Sequence, residues 1–140
     1  MIIKRCNIFS LVLLLTGILS PPVSAADIEV KTYKATVEKG IQRVDITGGD
    51  YYFDPNHIIV RVNVPVEFHI KKAPGFVPHD IIMDEPEAGI VFKEKLKSES
   101  QVIRFTPKKT GIFPLYCGKK LLFLKSHREK GMEGILEVTE

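Results

Sequence analysis

Short stretches in which hydrophobic and polar residues alternate dominate the chain after residue 27. The clearest are 58–62 and 66–70, where every second residue is aliphatic or aromatic and a turn at 63–65 separates them. Alternation with period two places successive side chains on opposite faces of a strand. Further strands are predicted at 28–30 with 33–37, and at 41–46, 81–83, 102–105, 112–117 and 134–138.

Glycine, proline and asparagine separate these stretches, as at the predicted turn 47–50. Seven or eight short strands with frequent turn signals predict an all-β protein folded as a β-sandwich. Only Glu85 to Lys97 and Lys119 to Lys130 have helix-like composition, and the first of these segments contains Pro86 and Gly89.

Residues 1–26 have the layout of a removable signal peptide. A positive pair, Lys4-Arg5, precedes an apolar run at 8–19, and small residues follow a double proline. The apolar run is short for a membrane span of about 20 residues. We therefore predict cleavage after Ala25 or Ala26 and a periplasmic or secreted protein.

The remaining segment, 27–140, has the length of one domain. Removing Lys4 and Arg5 from 20 basic and 17 acidic residues leaves 18 and 17, a nearly neutral balance. Nucleic-acid-binding domains usually carry a basic stripe, so this class is not favoured. The sequence contains no phosphate-binding loop, no Ser-His-Asp constellation and no heptad repeat.

The predicted domain has one thiol, Cys117, because Cys6 lies in the leader. An unpaired thiol in an oxidising compartment is expected to have a specific role. The options are a metal ligand, a catalytic nucleophile or an intermolecular disulfide. His127 and Met132 follow Cys117 closely, and these neighbours favour a metal.

Of the four histidines, two are interpreted as surface residues. His69 lies on the outward face of an alternating strand, and His57 lies in a turn before one. His79 follows a loop at 73–78 that interrupts the strand pattern, which makes it a candidate second imidazole beside His127.

The candidate ligands His79, Cys117, His127 and Met132 form a soft, mixed set. Magnesium and calcium prefer oxygen ligands, and structural zinc sites use four cysteines and histidines. Two imidazoles and a thiolate with a weak axial thioether are the ligands of a blue-copper site. The ligand types favour copper.

At this point the chain resembles the cupredoxin family over nearly all of the predicted domain. The resemblance is carried by the segments Phe53-Asp54-Pro55, Phe105-Thr106-Pro107, Gly111-Ile112-Phe113 and Cys117 to Gly134, with His79 upstream. It implies a Greek-key β-sandwich and one copper ion in a type 1 site formed by His79, Cys117, His127 and Met132. Most members of the family carry single electrons, which implies the same role here. No catalytic constellation is visible in the single domain, so we do not expect an enzyme.

Two features depart from the family pattern. The loop from Cys117 to His127 is longer than in plastocyanin- or azurin-like members and closer to that of copper nitrite reductases. Residue 80 is Asp80, where many members carry an asparagine that ties the ligand loops together. A carboxylate there would lower the reduction potential relative to an amide.

Several alternatives stay open on the sequence alone. Cys117 and Met132 could be core residues, or Cys117 and His127 could serve a cysteine hydrolase, although no oxyanion hole is visible. Nitrite reduction would need a second copper domain or a subunit-bridging site. The main competitor is a non-redox copper carrier, storage protein or oxidase-assembly accessory, for which Met83 is a possible extra ligand.

The long loop predicts a docking surface for a redox partner. Four consecutive apolar residues, 121–124, lie between Lys120 and Lys125. Either they cap the core from a short helix, or they form an apolar patch with a basic rim around the exposed edge of His127. The second arrangement would suit brief docking to an acidic redox partner.

Overall fold

The computed structural model describes residues 29–140, so the predicted signal peptide and its cleavage sites lie outside the described residues. This part of the chain contains eleven strands: β1 Thr32–Lys34, β2 Val37–Glu38, β3 Ile41–Gly49, β4 Tyr52–Asp54, β5 His57–Arg61, β6 Val66–Lys72, β7 Asp80–Glu85, β8 Ile90–Lys95, β9 Gln101–Phe105, β10 Gly111–Tyr116 and β11 Glu133–Thr139. Two single-turn 3₁₀ helices, Pro86–Ala88 and Arg128–Lys130, complete the elements. No helix within residues 29–140 is long and apolar enough to cross a membrane.

The strands form two sheets that pack face to face. One sheet has the order β1-β5-β11-β10-β7-β8, and the other has β2-β3-β6-β9 with β4 paired to β3. The predicted all-β sandwich is confirmed. The strand number exceeds the seven or eight expected, because β1, β2 and β4 are only two or three residues long and β8 was not predicted as a strand.

The alternating strands supply the core. In β6, Val66, Phe68 and Ile70 are buried while His69 is only partly covered. The Phe68 ring meets those of Phe92 and Phe105 edge to face, at centroid distances of 6.2 and 5.0 Å. Full burial of such a side chain stabilises a fold by about 1.5–3 kcal/mol, so this shared interior holds the sheets together.

The helix-like composition of Glu85 to Lys97 was misleading. After one 3₁₀ turn, Gly89 ends the helix in the left-handed conformation with φ 69°, and β8 then pairs antiparallel with β7. Pro86 starts the turn. The backbone groups of 90–95 gain hydrogen bonds from the sheet, which local helix propensity does not outweigh.

The segment Lys119 to Lys130 is also largely a loop, with a helical turn only at its last three residues. Leu122 has φ 46°, which interrupts any helix. Isolated helices shorter than about 12–15 residues need an apolar face packed on the core. The loop does not provide one, because its apolar side chains are exposed.

The turn predicted at 47–50 lies further along the chain. β3 continues to Gly49, and a two-residue loop of Asp50 and Tyr51 joins it to β4. A Cβ at Gly49 would approach the Cβ of Ala73 to 2.8 Å. Gly49 therefore allows the close approach of Ala73. The tight turn that was expected at this glycine is formed by the next two residues.

Candidate metal centre

Three connections meet at one end of the six-stranded sheet. Tyr116, the last residue of β10, is paired with Ile82 near the start of β7 and with Glu133, the first residue of β11. His79 precedes β7, Cys117 follows β10, and the loop to β11 carries the remaining candidates. Antiparallel pairing thus brings residues distant in sequence to one point.

The structure brings together three of the predicted site residues. The ligand atoms of His79, Cys117 and His127 all lie within 4.8 Å of one another. The two Nδ1 atoms are 3.1 Å apart, and the Cys117 Sγ is 3.5 Å from the His127 Nδ1. All three residues are buried, and Cys117 is the only free cysteine among the described residues. Two imidazoles and a thiol therefore share one nearly enclosed space.

The main chain of Met132 is hydrogen-bonded to two residues of this cluster. Its N–H donates to the carbonyl of His127 at 2.9 Å, and its carbonyl accepts from the N–H of Cys117 at 3.0 Å. Its side chain is fully buried. The backbone of Met132 thus links the two ligand segments on either side of the long loop.

Asp80 is hydrogen-bonded to the segment that contains Cys117 and Gly118, although many cupredoxins have asparagine at this position. Its Oδ1 accepts from the N–H of Gly118 at 2.7 Å, and its own N–H donates to the Cys117 Sγ at 3.4 Å. The Lys119 Nζ lies 3.4 Å from its other carboxylate oxygen. A carboxylate oxygen accepts a backbone hydrogen bond as an amide oxygen does, so the loops stay joined.

Burial favours the uncharged forms of the three cluster residues. Desolvation is the main cause that lowers the pKa of His79 and of His127; the nearby His127 imidazole also lowers that of His79, and Lys130 that of His127. Desolvation raises the pKa of the Cys117 thiol, partly offset by backbone hydrogen bonds from Asp80 and Lys119. Both imidazoles therefore favour the neutral form, in which one ring nitrogen has a free lone pair, whereas the thiol must lose its proton to bind a metal.

The residues interpreted as surface or core lie outside the cluster. His57 and His69 each approach a carboxylate, Glu137 at 2.9 Å and Glu67 at 3.1 Å. Met83 is fully buried in β7 and belongs to the hydrophobic core. Both histidines lie apart from the cluster, but their side chains are partly buried, and His57 is the first residue of β5 and not part of the turn expected before it.

Tyr51 belongs to the site and was not identified from the sequence. Its ring packs edge-on against His127 and His79, at centroid distances of 4.9 and 6.1 Å. The ammonium of Lys130 lies 4.3 Å from the centre of the same ring. A tyrosine in a tight turn beside Asp50, where glycine is usual, was the available signal.

A groove of about 390 Å³ opens over His127. Lining residues from both loops include Phe76, Leu121 and Leu124, with Lys119, Lys120, Lys125 and Lys130. The apolar run at 121–124 is exposed throughout, up to 90% at Phe123. The alternative in which these residues cap the core is therefore wrong. We refer to Phe76 and residues 121–124 together as the apolar patch.

No family model matches the chain, and no curated protein matches it. Solved structures do. The metal-binding domain of the Cu(I)-exporting P-type ATPase CopA of Streptococcus pneumoniae D39, determined with Cu(I), is 26% identical with a TM-score of 0.61; the match covers 80% of this chain and 99% of that one.

Two further structures share the fold at lower identity. The periplasmic domain of cytochrome oxidase subunit II of Bradyrhizobium japonicum is 19% identical with a TM-score of 0.53, covering 75% of this chain and 88% of that one. Auracyanin B is 14% identical with a TM-score of 0.52, covering 76% and 94%. The chain therefore has the cupredoxin fold that its sequence resemblance implied, with a buried His/Cys/His cluster at one end of the sandwich.

Proposed function

We propose that this chain is an exported mononuclear copper protein that carries single electrons, with His79, Cys117, His127 and Met132 as ligands. The observation that carries the proposal is the buried cluster of two imidazoles and one thiol within 4.8 Å. The leader-like residues 1–26 and the likeness to a periplasmic oxidase domain support export.

The donor set of the cluster fits copper. It contains no carboxylate or carbonyl ligand, so it does not suit magnesium or calcium. It provides three nitrogen and sulfur donors with a thioether residue adjoining, which is the composition of a blue-copper site. A copper ion held there would supply a one-electron couple.

Hydrogen bonds within the protein position the donor residues. The hydrogen bonds of Asp80 and Met132 join the residues around His79, Cys117 and His127 without using a ligand atom of either imidazole. The N–H of Asp80 points at the Cys117 sulfur and would stabilise negative charge on a thiolate. Ligands that are already held need little rearrangement between oxidation states.

The surface above His127 supports docking of a redox partner. The apolar patch lies within a rim of Lys119, Lys120 and Lys125, and His127 lines the groove between them. Complementary charge raises the association rate more than the affinity. Replacing these three lysines with glutamate should slow electron transfer at low salt, with the difference shrinking as salt rises.

The decisive experiment is copper reconstitution of residues 27–140 followed by visible absorption and voltammetry. We expect an intense thiolate-to-copper(II) band and a reversible one-electron wave. A protein that binds no copper, or binds it without a thiolate band, would overturn the proposed ligand set.

A Cu(I) carrier is the second candidate, favoured by the likeness to a domain of a Cu(I)-exporting ATPase. It uses the same ligands but predicts a different outcome. A carrier would hold copper mainly as Cu(I) and release it to a metal-free acceptor, whereas an electron carrier would retain it through repeated oxidation and reduction. Both candidates are non-enzymatic.

A further inference from the structure

β3 is joined to a neighbour by a two-residue hairpin loop at each end. Lys39 and Gly40 connect it to β2, and Asp50 and Tyr51 connect it to β4. All four residues have positive φ, between 47° and 80°. Two positive φ values in such a loop indicate a type I′ turn, whose second position favours glycine.

The loops differ at that second position. The loop far from the cluster has Gly40, whereas the loop beside it has Tyr51 at φ 65°. A bulky side chain in the left-handed region carries a conformational cost that glycine avoids. Hairpin formation alone does not explain the tyrosine, since the same strand makes the same kind of turn with glycine.

The contacts of the ring explain it. Tyr51 packs edge-on against both imidazoles, with interplanar angles of 82° to His127 and 87° to His79. This is a favourable arrangement for aromatic rings. The Nζ of Lys130 also donates to the Tyr51 hydroxyl at 3.2 Å, a solvent-exposed contact with the helical turn that follows His127.

We infer that Tyr51 is a positioning residue of the metal centre, whose ring fixes the planes of His79 and His127 before a metal binds. The inference rests on the proposed function for its metal, but the contacts of the ring are made within the chain itself. Strain kept beside a functional cluster is a recognised means of preorganisation. Tyr51 thus acts on a metal through the imidazoles and not as a ligand.

The test compares Tyr51→Gly with Tyr51→Phe, which keeps the ring and loses only the hydroxyl. Copper should leave the glycine variant for a chelator at least about tenfold faster than the wild type, the scale of effects on groups that orient ligands. The phenylalanine variant should stay close to the wild type. Equal release from wild type and glycine variant would overturn the inference.

A second readout needs no metal. Scalar couplings that report the χ1 rotamer of His127 should indicate one rotamer in the wild type and in Tyr51→Phe, and averaging in Tyr51→Gly. His57 provides the internal control and should not change. A single His127 rotamer in the glycine variant would contradict the positioning role.

Stability separates positioning from mere packing. Gly40→Tyr places the same residue in the distal loop and should lower the denaturant midpoint without altering either readout. If the wild type binds no copper, the proposed function fails, and the His127 couplings still decide the role of Tyr51. If copper binds equally in all variants, only the inference about Tyr51 fails.

Discussion

The outer faces of the sheets and the end that holds the cluster use histidine in opposite ways. His57, on β5, has Glu137 at one ring nitrogen and the Thr32 hydroxyl at the other, and His69 on β6 has Glu67. At the sandwich end, His79 and His127 face each other and a thiol. Within residues 29–140, neither of these two rings forms a hydrogen bond with a carboxylate.

The difference separates histidines that are hydrogen-bonded to carboxylates from histidines that are suited to bind a metal. Both ring nitrogens of His57, and one ring nitrogen of His69, already have hydrogen-bond partners. Two buried imidazoles that face each other cannot both be charged, and burial lowers the pKa of both. Such a pair is suited to donate its lone pairs to a metal.

The largest expected effect comes from removing the thiol that completes the cluster end. Cys117→Ser should abolish the intense visible band of the copper(II) protein, because a serine hydroxyl cannot form the copper–thiolate bond. Absorption spectroscopy after copper addition provides the measurement, and circular dichroism should show that the sandwich remains folded. A folded variant with an unchanged band would remove Cys117 from the site.

The second prediction tests the histidine comparison directly. His127→Gln should weaken copper binding by at least about ten- to a hundredfold, because a ligand is a stronger determinant than the neighbours that orient it. The matched control is His57→Gln, which should leave copper affinity unchanged and lower stability by about 0.5–1.5 kcal/mol for each of its two hydrogen bonds that is lost. Competition with a chelator of known affinity measures the copper affinity of both variants, and denaturant unfolding measures their stability. Equal effects of the two substitutions would refute the distinction.

The sequence was sufficient for the strands that alternate and for the identity of the clustered residues. His79 was grouped with Cys117 on its loop position and on ligand type, and the family resemblance supported the grouping, since no spacing rule relates residues 38 positions apart. Strand β8 was missed because its six residues end in a charged, mostly exposed segment whose structure comes from pairing with β7. Tyr51 was missed because its contacts are all long-range. Pairing across a sheet and contact across loops are decided by tertiary structure, which local composition does not encode.

A smaller effect is expected at Met132, which lies at the end of the sandwich that holds the cluster. If its thioether is an axial ligand, Met132→Leu should keep copper and raise the reduction potential, because an apolar residue no longer donates to the oxidised ion. Voltammetry measures the potential, and Met83→Leu in the core is the matched control that should not shift it. A lower potential in the Met132 variant would contradict the assigned role.

The smallest prediction concerns the carboxylate side of the comparison. Hydrogen bonds from His69 and then Arg104 lower the pKa of Glu67 below its ordinary value. A carboxyl group whose pKa is lower in the folded protein stabilises the fold fully above its unfolded pKa, and this contribution disappears as pH falls through the folded pKa. Glu67→Gln should therefore lower the unfolding free energy of the metal-free protein at pH 7, with the gap to the wild type closing below about pH 4. Denaturant unfolding at both pH values measures the gap, with the exposed Glu87→Gln as a control for the change of charge. A gap that widens on acidification would show that the neighbours of Glu67 do not favour its ionised form. His69 would then no longer be an example of a histidine that stabilises a neighbouring carboxylate, in contrast to the clustered pair.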